Sequence, residues 1–171
     1  HESYDTSLDD HVVYIGPHRM TDEITIAINE QQSTVNIGKL LLSPTRTYAP
    51  LMKILLEEHF DKIHGLIHCS GGGQTKCMKY LPGNFKIIKD DLFEPPLIFQ
   101  LIQQSSHADN REMYQVFNMG HRLEIFANEK DAESIIAVSK QFNIAAKIIG
   151  RVEASDKKEL VLKVKNEEIA Y

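Results

Sequence analysis

The sequence of residues 65–76 is Gly-Leu-Ile-His-Cys-Ser-Gly-Gly-Gly-Gln-Thr-Lys, a short apolar segment that runs directly into three consecutive glycines. Three adjacent glycines cost backbone entropy and add no packing, so a chain keeps them where the backbone is unusual or another group approaches closely. We therefore predict a strand over 63–69, a glycine turn, and a short helix over 75–81. Exposed backbone N–H groups at such a turn can bind an anion, and an ordinary strand-to-helix turn is the open alternative.

Two common phosphate-binding patterns do not fit this stretch. No Lys-Ser or Lys-Thr pair closes a G-x-x-x-x-G spacing, as the P-loop pattern requires. The spacing G-x-G-x-x-G of dinucleotide-binding proteins is absent as well. The stretch thus predicts an anion site of another kind, made by Ser70, Gly71, Gly72 and Gly73.

Composition indicates one globular domain over residues 1–171, with 42% hydrophobic and 25% charged residues. A net charge of −5 argues against nucleic-acid binding. No apolar run approaches the roughly 20 residues of a membrane helix, so we expect no membrane partner. The two cysteines, Cys69 and Cys77, fit a reduced cytoplasmic protein. Because the chain starts at His1 without a methionine or a signal peptide, we expect a fragment of a longer protein.

Periodicity predicts interleaved strands and helices, and hence an α/β fold of layered α/β/α type with a mixed β-sheet. Residues 1–10 form a loose lead-in. The predicted strands cover 11–15, 23–28, a short strand with an apolar segment in 35–42, then 63–69, 85–88, 123–127, 145–152 and 159–164. The predicted helices cover 48–59, 75–81, 95–104, 110–117 and 129–142. We expect 63–69 to be among the most buried strands because its apolar run is nearly continuous.

Two further segments carry polar groups beside predicted turns. Residues 43–48, Ser-Pro-Thr-Arg-Thr-Tyr, precede a helix, so Thr45 or Thr47 is predicted to cap it, while Arg46 could lie near a phosphate. Residues 113–120 end in Asn118-Met119-Gly120, which predicts a turn. The amide of Asn118 could also bind a substrate amide or carbonyl without a charge cost.

The sequence offers no evident metal site and no evident catalytic set. His64 and His68 lie about 13 Å apart along a strand, too far for one metal ion. The pair Asp90-Asp91 fits a solvated turn better than an acid pair. No Ser/His/Asp or Cys/His nucleophile pattern stands out, so catalytic residues stay unassigned.

Four segments in this order resemble the aminoimidazole ribonucleotide synthetase family, also called phosphoribosylformylglycinamidine cyclo-ligase. They are residues 42–48, 65–73, 111–120 and 148–152, so the likeness spans about 40–152. The chain resembles the C-terminal half of that enzyme. It departs from the family at His121 and Arg122, which replace small residues, and the region before Leu42 does not resemble the usual family sequence. We also expect the N-terminal half of the family to be absent.

The resemblance implies an ATP-dependent closure of the imidazole ring of formylglycinamidine ribonucleotide in purine synthesis. It implies ATP and Mg²⁺ as cofactors of a cytoplasmic homodimer, with most ATP and Mg²⁺ contacts in the missing half. We expect the fragment alone to be inactive and to bind neither cofactor tightly. The substrate- or phosphate-binding candidates are Arg46, Ser70, Gly71, Gly72, Gly73 and Asn118, with His68, Thr75 and Gly120 as secondary candidates.

Two alternatives stay open at this point. The chain could be a non-catalytic ligand-binding or interaction domain that kept the fold. It could also belong to a sister ATP-dependent enzyme of the superfamily, which includes the preceding amidotransferase, selenophosphate synthetase and a hydrogenase-maturation enzyme.

Overall fold

A computed structural model describes Ser7, residues 16–28 and residues 31–171. The predicted strand over 11–15 lies outside the described residues, and so does the lead-in over 1–10 except for Ser7.

The elements alternate along the chain as the periodicity predicts. In chain order they are β1 (Glu23–Ile28), β2 (Gln31–Asn36), α1 (Ile37–Leu41), α2 (Ala49–Glu58), a 3₁₀ turn (Phe60–Lys62), β3 (Ile63–His68), a second 3₁₀ turn (Gly73–Thr75), α3 (Cys77–Tyr80), β4 (Phe85–Lys89), α4 (Leu97–Ser106), α5 (Asn110–Val116), β5 (Leu123–Ala127), α6 (Glu129–Gln141), β6 (Gly150–Ala154), β7 (Glu159–Val164) and β8 (Glu167–Ala170).

The chain divides into two compact units, and each is described by itself. The first unit holds the described residues up to Arg46 together with residues 97–108. In it β1 pairs with β2 in antiparallel register. Helix α1 follows directly, and the side chain of Asn36 caps it by accepting a hydrogen bond of 2.8 Å from the Lys39 N–H.

The second unit, residues 47–96 and 109–171, contains a four-stranded sheet in the order β6-β4-β7-β8. Strand β4 runs parallel to β7 and antiparallel to β6, and β7 runs antiparallel to β8, so the sheet is mixed as predicted. The two central strands are the most buried, with Ile87 and Ile88 on β4 and Leu160, Val161 and Leu162 on β7. Continuous apolar runs of this kind suit a strand that is covered on both faces.

The same unit contains the antiparallel pair β3–β5, covered by helices α2 and α6. Leu51 and Leu55 from α2 and Ile135 and Val138 from α6 form its buried cluster. The prediction that residues 63–69 form one of the most buried strands is wrong, since only Ile67 is buried within β3. His64 and His68 alternate with the apolar side chains and are exposed, which leaves one face of the strand to solvent.

Several predicted boundaries move for identifiable reasons. Part of the predicted 35–42 segment is helix α1, because Asn36 provides a cap that ends β2. Strand β6 begins at Gly150 instead of residue 145, since pairing with β4 starts where Gly150 meets Lys89. A Cβ at Gly150 would collide with the Ile88 carbonyl, so only glycine allows this approach. Strand β8 is absent from the sequence-based prediction.

The predicted helix cap at Thr45 or Thr47 is also wrong. Helix α2 is preceded by Tyr48 as its N-cap residue, which makes no side-chain capping bond. The Thr47 hydroxyl instead accepts a hydrogen bond of 3.3 Å from the N–H of Ala49, the first helical residue. Pro50 in the first turn lacks an N–H, so the helix start has fewer donors to satisfy.

A buried ion pair connects the two sheets of the second unit. Lys89 on β4 and Glu124 on β5 are 2% and 6% exposed, and Nζ lies 2.6 Å from the Glu124 carboxylate. The same ammonium group donates to the backbone carbonyl and the side-chain Oε1 of Gln74, at 2.9 and 3.0 Å. All three N–H bonds of the ammonium group are therefore used, which offsets the cost of burying its charge.

We predict that Lys89→Met destabilises the protein by about 3–5 kcal/mol, because the Glu124 carboxylate then stays buried without its cation. The double variant Lys89→Met/Glu124→Leu should recover most of that loss. The measurement is the free energy of unfolding in urea. The control is Lys53→Met, which breaks the exposed pair with Glu57 and should cost less than about 1 kcal/mol. Equal losses for both single variants would contradict the assignment.

Candidate functional site

The glycine turn begins directly after β3 and folds back on itself. The Ser70 N–H donates to the His68 carbonyl at 2.8 Å, and the Gly73 N–H donates to the Ser70 carbonyl at 3.1 Å. Gly72 and Gly73 have φ angles of +91° and +47°, in the left-handed region that favours glycine. The N–H and the hydroxyl of Thr75 both donate to the Gly72 carbonyl, at 2.9 and 2.8 Å, and so brace the turn.

The first and third glycines have opposite surroundings. A Cβ at Gly73 would collide with the carbonyl oxygens of Phe117 and Tyr114, so this residue is the point where the turn meets the end of α5. A Cβ at Gly71 would meet nothing within 4 Å. Gly73 therefore serves close packing, and the open side of the turn lies at Gly71.

The glycine turn also contains hydrogen-bond donors without an internal acceptor. Within the described part of the chain, the N–H groups of Gly71 and Gly72 have no acceptor. The Ser70 hydroxyl accepts a hydrogen bond of 2.6 Å from Lys76 Nζ, so its own proton is left to donate. The arrangement presents donors together with a cation, which is the chemistry that binds an oxyanion.

Asn118 lies in the turn that packs against the glycine turn. Its backbone carbonyl accepts from Gln74 Nε2 at 2.8 Å, and its side-chain Oδ1 accepts from the Gly120 N–H at 2.9 Å. Met119 and Gly120 have φ angles of +51° and +100°, which confirms the predicted turn. The Nδ2 group of Asn118 has no acceptor among the described residues, so this amide can still donate to a ligand.

The segment that follows the glycine turn contains no helix long enough to support an anion site. The turn leads into a single 3₁₀ turn, Gly73–Thr75, and then into the four-residue helix α3. So short a helix adds little to the field at its start. The backbone N–H groups and the Lys76 ammonium are therefore the groups that can hold an anion here.

The second unit brings together most of the predicted site residues. Ser70, Gly71, Gly72 and Gly73 form the turn, Thr75 braces it, and Asn118 and Gly120 form the neighbouring turn. His68 is exposed just before the turn, and its ring meets the Tyr48 ring edge-on, with 6.5 Å between centroids. Arg46 belongs to the first unit, so it is not part of the site as built from the second.

The site offers no activated nucleophile. Burial, together with the Glu124 carboxylate, raises the pKa of the Cys69 thiol to about 12. Burial also raises the pKa of Cys77. Both thiols are therefore un-ionised at neutral pH and behave as small core residues. Among the described residues, no three His, Cys, Asp or Glu side chains are grouped so as to hold a metal ion.

Sequence reasoning missed Lys76 and the residues beneath the turn. Lys76 lies in the predicted helix 75–81, and its side chain has no predicted role. Glu124 lies in the predicted strand 123–127 and Lys89 directly follows the predicted strand 85–88, and neither residue has a predicted role. Their meeting point with Gln74 could not be inferred, because the three residues are far apart in sequence.

His121, one of the two departures from the resembled family, is buried at 4% exposure. Its Nε2 accepts a hydrogen bond of 3.0 Å from the Phe93 N–H, and the two rings lie 5.2 Å apart. Burial lowers the pKa of His121 to about 4, and the charges of Lys89 and Lys147 act in the same direction. The imidazole therefore stays neutral and joins the loop at Phe93 to the Asn118 turn.

We predict an acid-sensitive stability that depends on His121. The unfolded residue binds a proton near its ordinary pKa of 6.5, and the folded one only near pH 4. The unfolded state thus binds more protons between these values, so stability is full above pH 6.5 and falls by at most about 3 kcal/mol as the pH drops to about 4. His121→Gln keeps an acceptor and should flatten this part of the stability profile, measured by urea unfolding.

The control for this prediction is His64→Gln at an exposed position on β3. That substitution should leave the slope between pH 6.5 and 4 unchanged. A slope that persists in His121→Gln would assign the acid sensitivity to another group.

Comparison with known proteins gives a family match over most of the chain. The family described as AIR synthase related protein, C-terminal domain, matches residues 10–163. The match begins well before Leu42, so the likeness extends beyond the 40–152 span inferred from motifs.

Relatives of this chain carry the name phosphoribosylformylglycinamidine cyclo-ligase. The protein from Methanopyrus kandleri is 35% identical over 119 residues, which cover 68% of this chain and 33% of the relative. The protein from Methanobrevibacter smithii is 38% identical over 136 residues, which cover 79% and 38%. The chain therefore spans about a third of the length of the curated relatives it matches.

One solved structure has a similar fold. The E. coli hydrogenase maturation protein HypE matches with a TM-score of 0.53 and 15% sequence identity, over 80% of this chain and 44% of that one. At this identity the likeness concerns the fold alone. None of the helices described here has the length and apolar composition that a bilayer crossing requires.

Proposed function

Since the chain belongs to the family described as AIR synthase related protein, C-terminal domain, we propose that it is the substrate-side domain of an ATP-dependent cyclo-ligase. The reaction would close the imidazole ring of formylglycinamidine ribonucleotide. ATP would activate the formyl oxygen, a nitrogen of the substrate would attack the activated carbon, and ADP and phosphate would leave.

The proposal is supported first by the relatives, which are named phosphoribosylformylglycinamidine cyclo-ligase. The single structural observation that carries it is the glycine turn, whose N–H groups at Gly71 and Gly72 have no acceptor within the described residues. Both the substrate and ATP carry phosphate groups, and such a turn suits a phosphate oxygen. In this proposal the domain holds and orients a phosphate, while the chemistry needs groups outside this chain.

The implied cofactors fit this chain to different degrees. A phosphate group of ATP suits the donors of the turn. A Mg²⁺ ion needs several oxygen ligands, and the described residues contain no grouped set of acidic side chains that supplies them. We therefore assign no Mg²⁺ ligands to the described residues. A cytoplasmic homodimer remains the expectation from the resemblance.

Two other functions remain as alternatives. A sister ATP-dependent enzyme has the same fold, but the likeness to HypE, at 15% identity, favours no function. A non-catalytic domain would keep the fold without the activity. The natural sequence before His1 discriminates these classes, because an acidic, glycine-rich ATP-binding half supports the enzyme.

We predict that Gly71→Asp in the full-length protein weakens phosphate-dependent substrate or ATP binding by about tenfold or more, because a carboxylate would face the anion. A side chain here meets open space, so the melting temperature should change little. The matched control is Gly71→Asn, which has the same size without the charge and should keep most of the affinity. The measurement is the dissociation constant for each ligand by calorimetry.

Substitution at Gly72 tests the same turn through its backbone. With φ at +91°, Gly72→Ala adds conformational strain as well as a side chain. Gly83→Ala, at φ +73° in another turn, is the matched control for strain alone. Ligand affinity should fall only for Gly72→Ala. Unchanged affinity in Gly71→Asp and Gly72→Ala, with both proteins folded, would leave a purely structural turn as the better account.

A further prediction is that residues 1–171 alone do not catalyse the ring closure, because the residues that the structure describes offer no activated nucleophile and the ATP-binding half is expected elsewhere. ADP release with substrate and ATP should stay at the no-protein background. The full-length protein is the positive control, and cooperative thermal unfolding of the fragment shows that it is folded. Substrate-dependent turnover above background would contradict the prediction.

A further inference from the structure

The side chain of Lys76 folds back from Gly72 to Ser70. A Cβ at Gly72 would lie 3.6 Å from Lys76 Cβ, so the Lys76 side chain begins beside Gly72. Its Nζ lies 2.6 Å from Ser70 Oγ, at the other end of the turn. The side chain thus connects the Gly72 end of the turn to Ser70, while the space in front of a Cβ at Gly71 stays empty.

The Lys76 ammonium contacts a neutral hydroxyl, whereas four other lysines pair with carboxylates. Lys53, Lys89, Lys147 and Lys157 each pair with a carboxylate. No described carboxylate lies within 4.0 Å of Lys76 Nζ, which donates to the Ser70 hydroxyl. A positive charge without a counter-charge beside free N–H groups attracts an anion.

We propose that Lys76 is the cationic ligand of a phosphate group bound at the turn, an inference that rests on the phosphate-binding role proposed above. The phosphate would accept from the Gly71 and Gly72 N–H groups and from the Ser70 hydroxyl, whose proton is left to donate. The Lys76 ammonium moves from Ser70 Oγ to a phosphate oxygen, and its charge favours a doubly charged phosphate. The ligand class is therefore a phosphate monoester or a terminal nucleotide phosphate.

A structural role for Lys76 predicts different behaviour. If Nζ only holds Ser70 in place, removing it lowers the stability and leaves the phosphate affinity unaffected in the folded protein. Lys76→Gln discriminates the two roles, because its amide can still donate to Ser70 while the charge is lost. Lys76→Arg keeps the charge. Lys79→Gln makes the same charge change at an exposed position on α3, three residues further along the chain.

The experiment measures binding of inorganic phosphate to the full-length protein by calorimetry at low and high salt. We expect Lys76→Gln to weaken binding by about tenfold or more at low salt and to reduce the dependence of the affinity on salt. Lys76→Arg should stay within about threefold of the parent, and Lys79→Gln within about twofold. Competition with ADP and with ribose 5-phosphate, in separate arms, tells which ligand supplies the phosphate.

Comparison with Gly71→Asp separates the two proposals. Loss in both Gly71→Asp and Lys76→Gln supports both. Loss in Gly71→Asp with parental affinity in Lys76→Gln overturns the role of Lys76 and leaves the turn as the site. Parental affinity in both overturns the site itself. Equal losses in Lys76→Gln and Lys79→Gln would indicate a general charge effect and overturn the role of Lys76.

Discussion

The buried ammonium of Lys89 is the contact on which the candidate site depends. It binds Glu124 on one sheet from a strand of the other and donates twice to Gln74, directly after the glycine turn. Gln74 in turn donates to the Asn118 carbonyl. A buried charge is tolerated only when its hydrogen bonds are complete, so this network permits few alternative arrangements. The Lys89 ammonium therefore helps to fix the relative positions of the two sheets, the glycine turn and the Asn118 turn.

The contacts that hold the glycine turn at Gly73 explain how its side at Gly71 can stay open. Gly73 packs against two carbonyl oxygens of the α5 end, and Thr75 makes two hydrogen bonds to the Gly72 carbonyl. These contacts fix the backbone of the turn, so the Gly71 and Gly72 N–H groups need no internal acceptor to stay in place. Donors that are already oriented bind a charged group with little reorganisation, which is the physical advantage of such a turn.

The sequence predicted the parts of this structure that local patterns determine. Strands β1, β5 and β7 have the predicted bounds, because alternation or an apolar run between polar turns is a local property. The predicted burial of β3 is too high, because His64 and His68 interrupt its apolar run and are exposed. Strand β8, with the sequence Glu-Glu-Ile-Ala, has only one buried side chain, so its pairing with β7 is visible only in three dimensions. For the site, the glycines were evident, whereas the Lys89 network and the path of the Lys76 side chain depend on tertiary contacts.

His121 shows how the fold accommodates a residue that differs from the family pattern. The resemblance leads one to expect a small residue there, and a larger one would ordinarily disturb a tight turn. The turn persists because Met119 and Gly120 take the left-handed conformations, while Gly120 packs against Pro96 in a space that no Cβ could share. The imidazole then fills the volume beside Phe93 and satisfies its N–H. Because the cations Lys89 and Lys147 disfavour protonation there, the substitution is tolerated as a neutral hydrogen-bond acceptor. The glycine conformations and the neutral state of one histidine, together, keep the Asn118 turn in contact with the glycine turn.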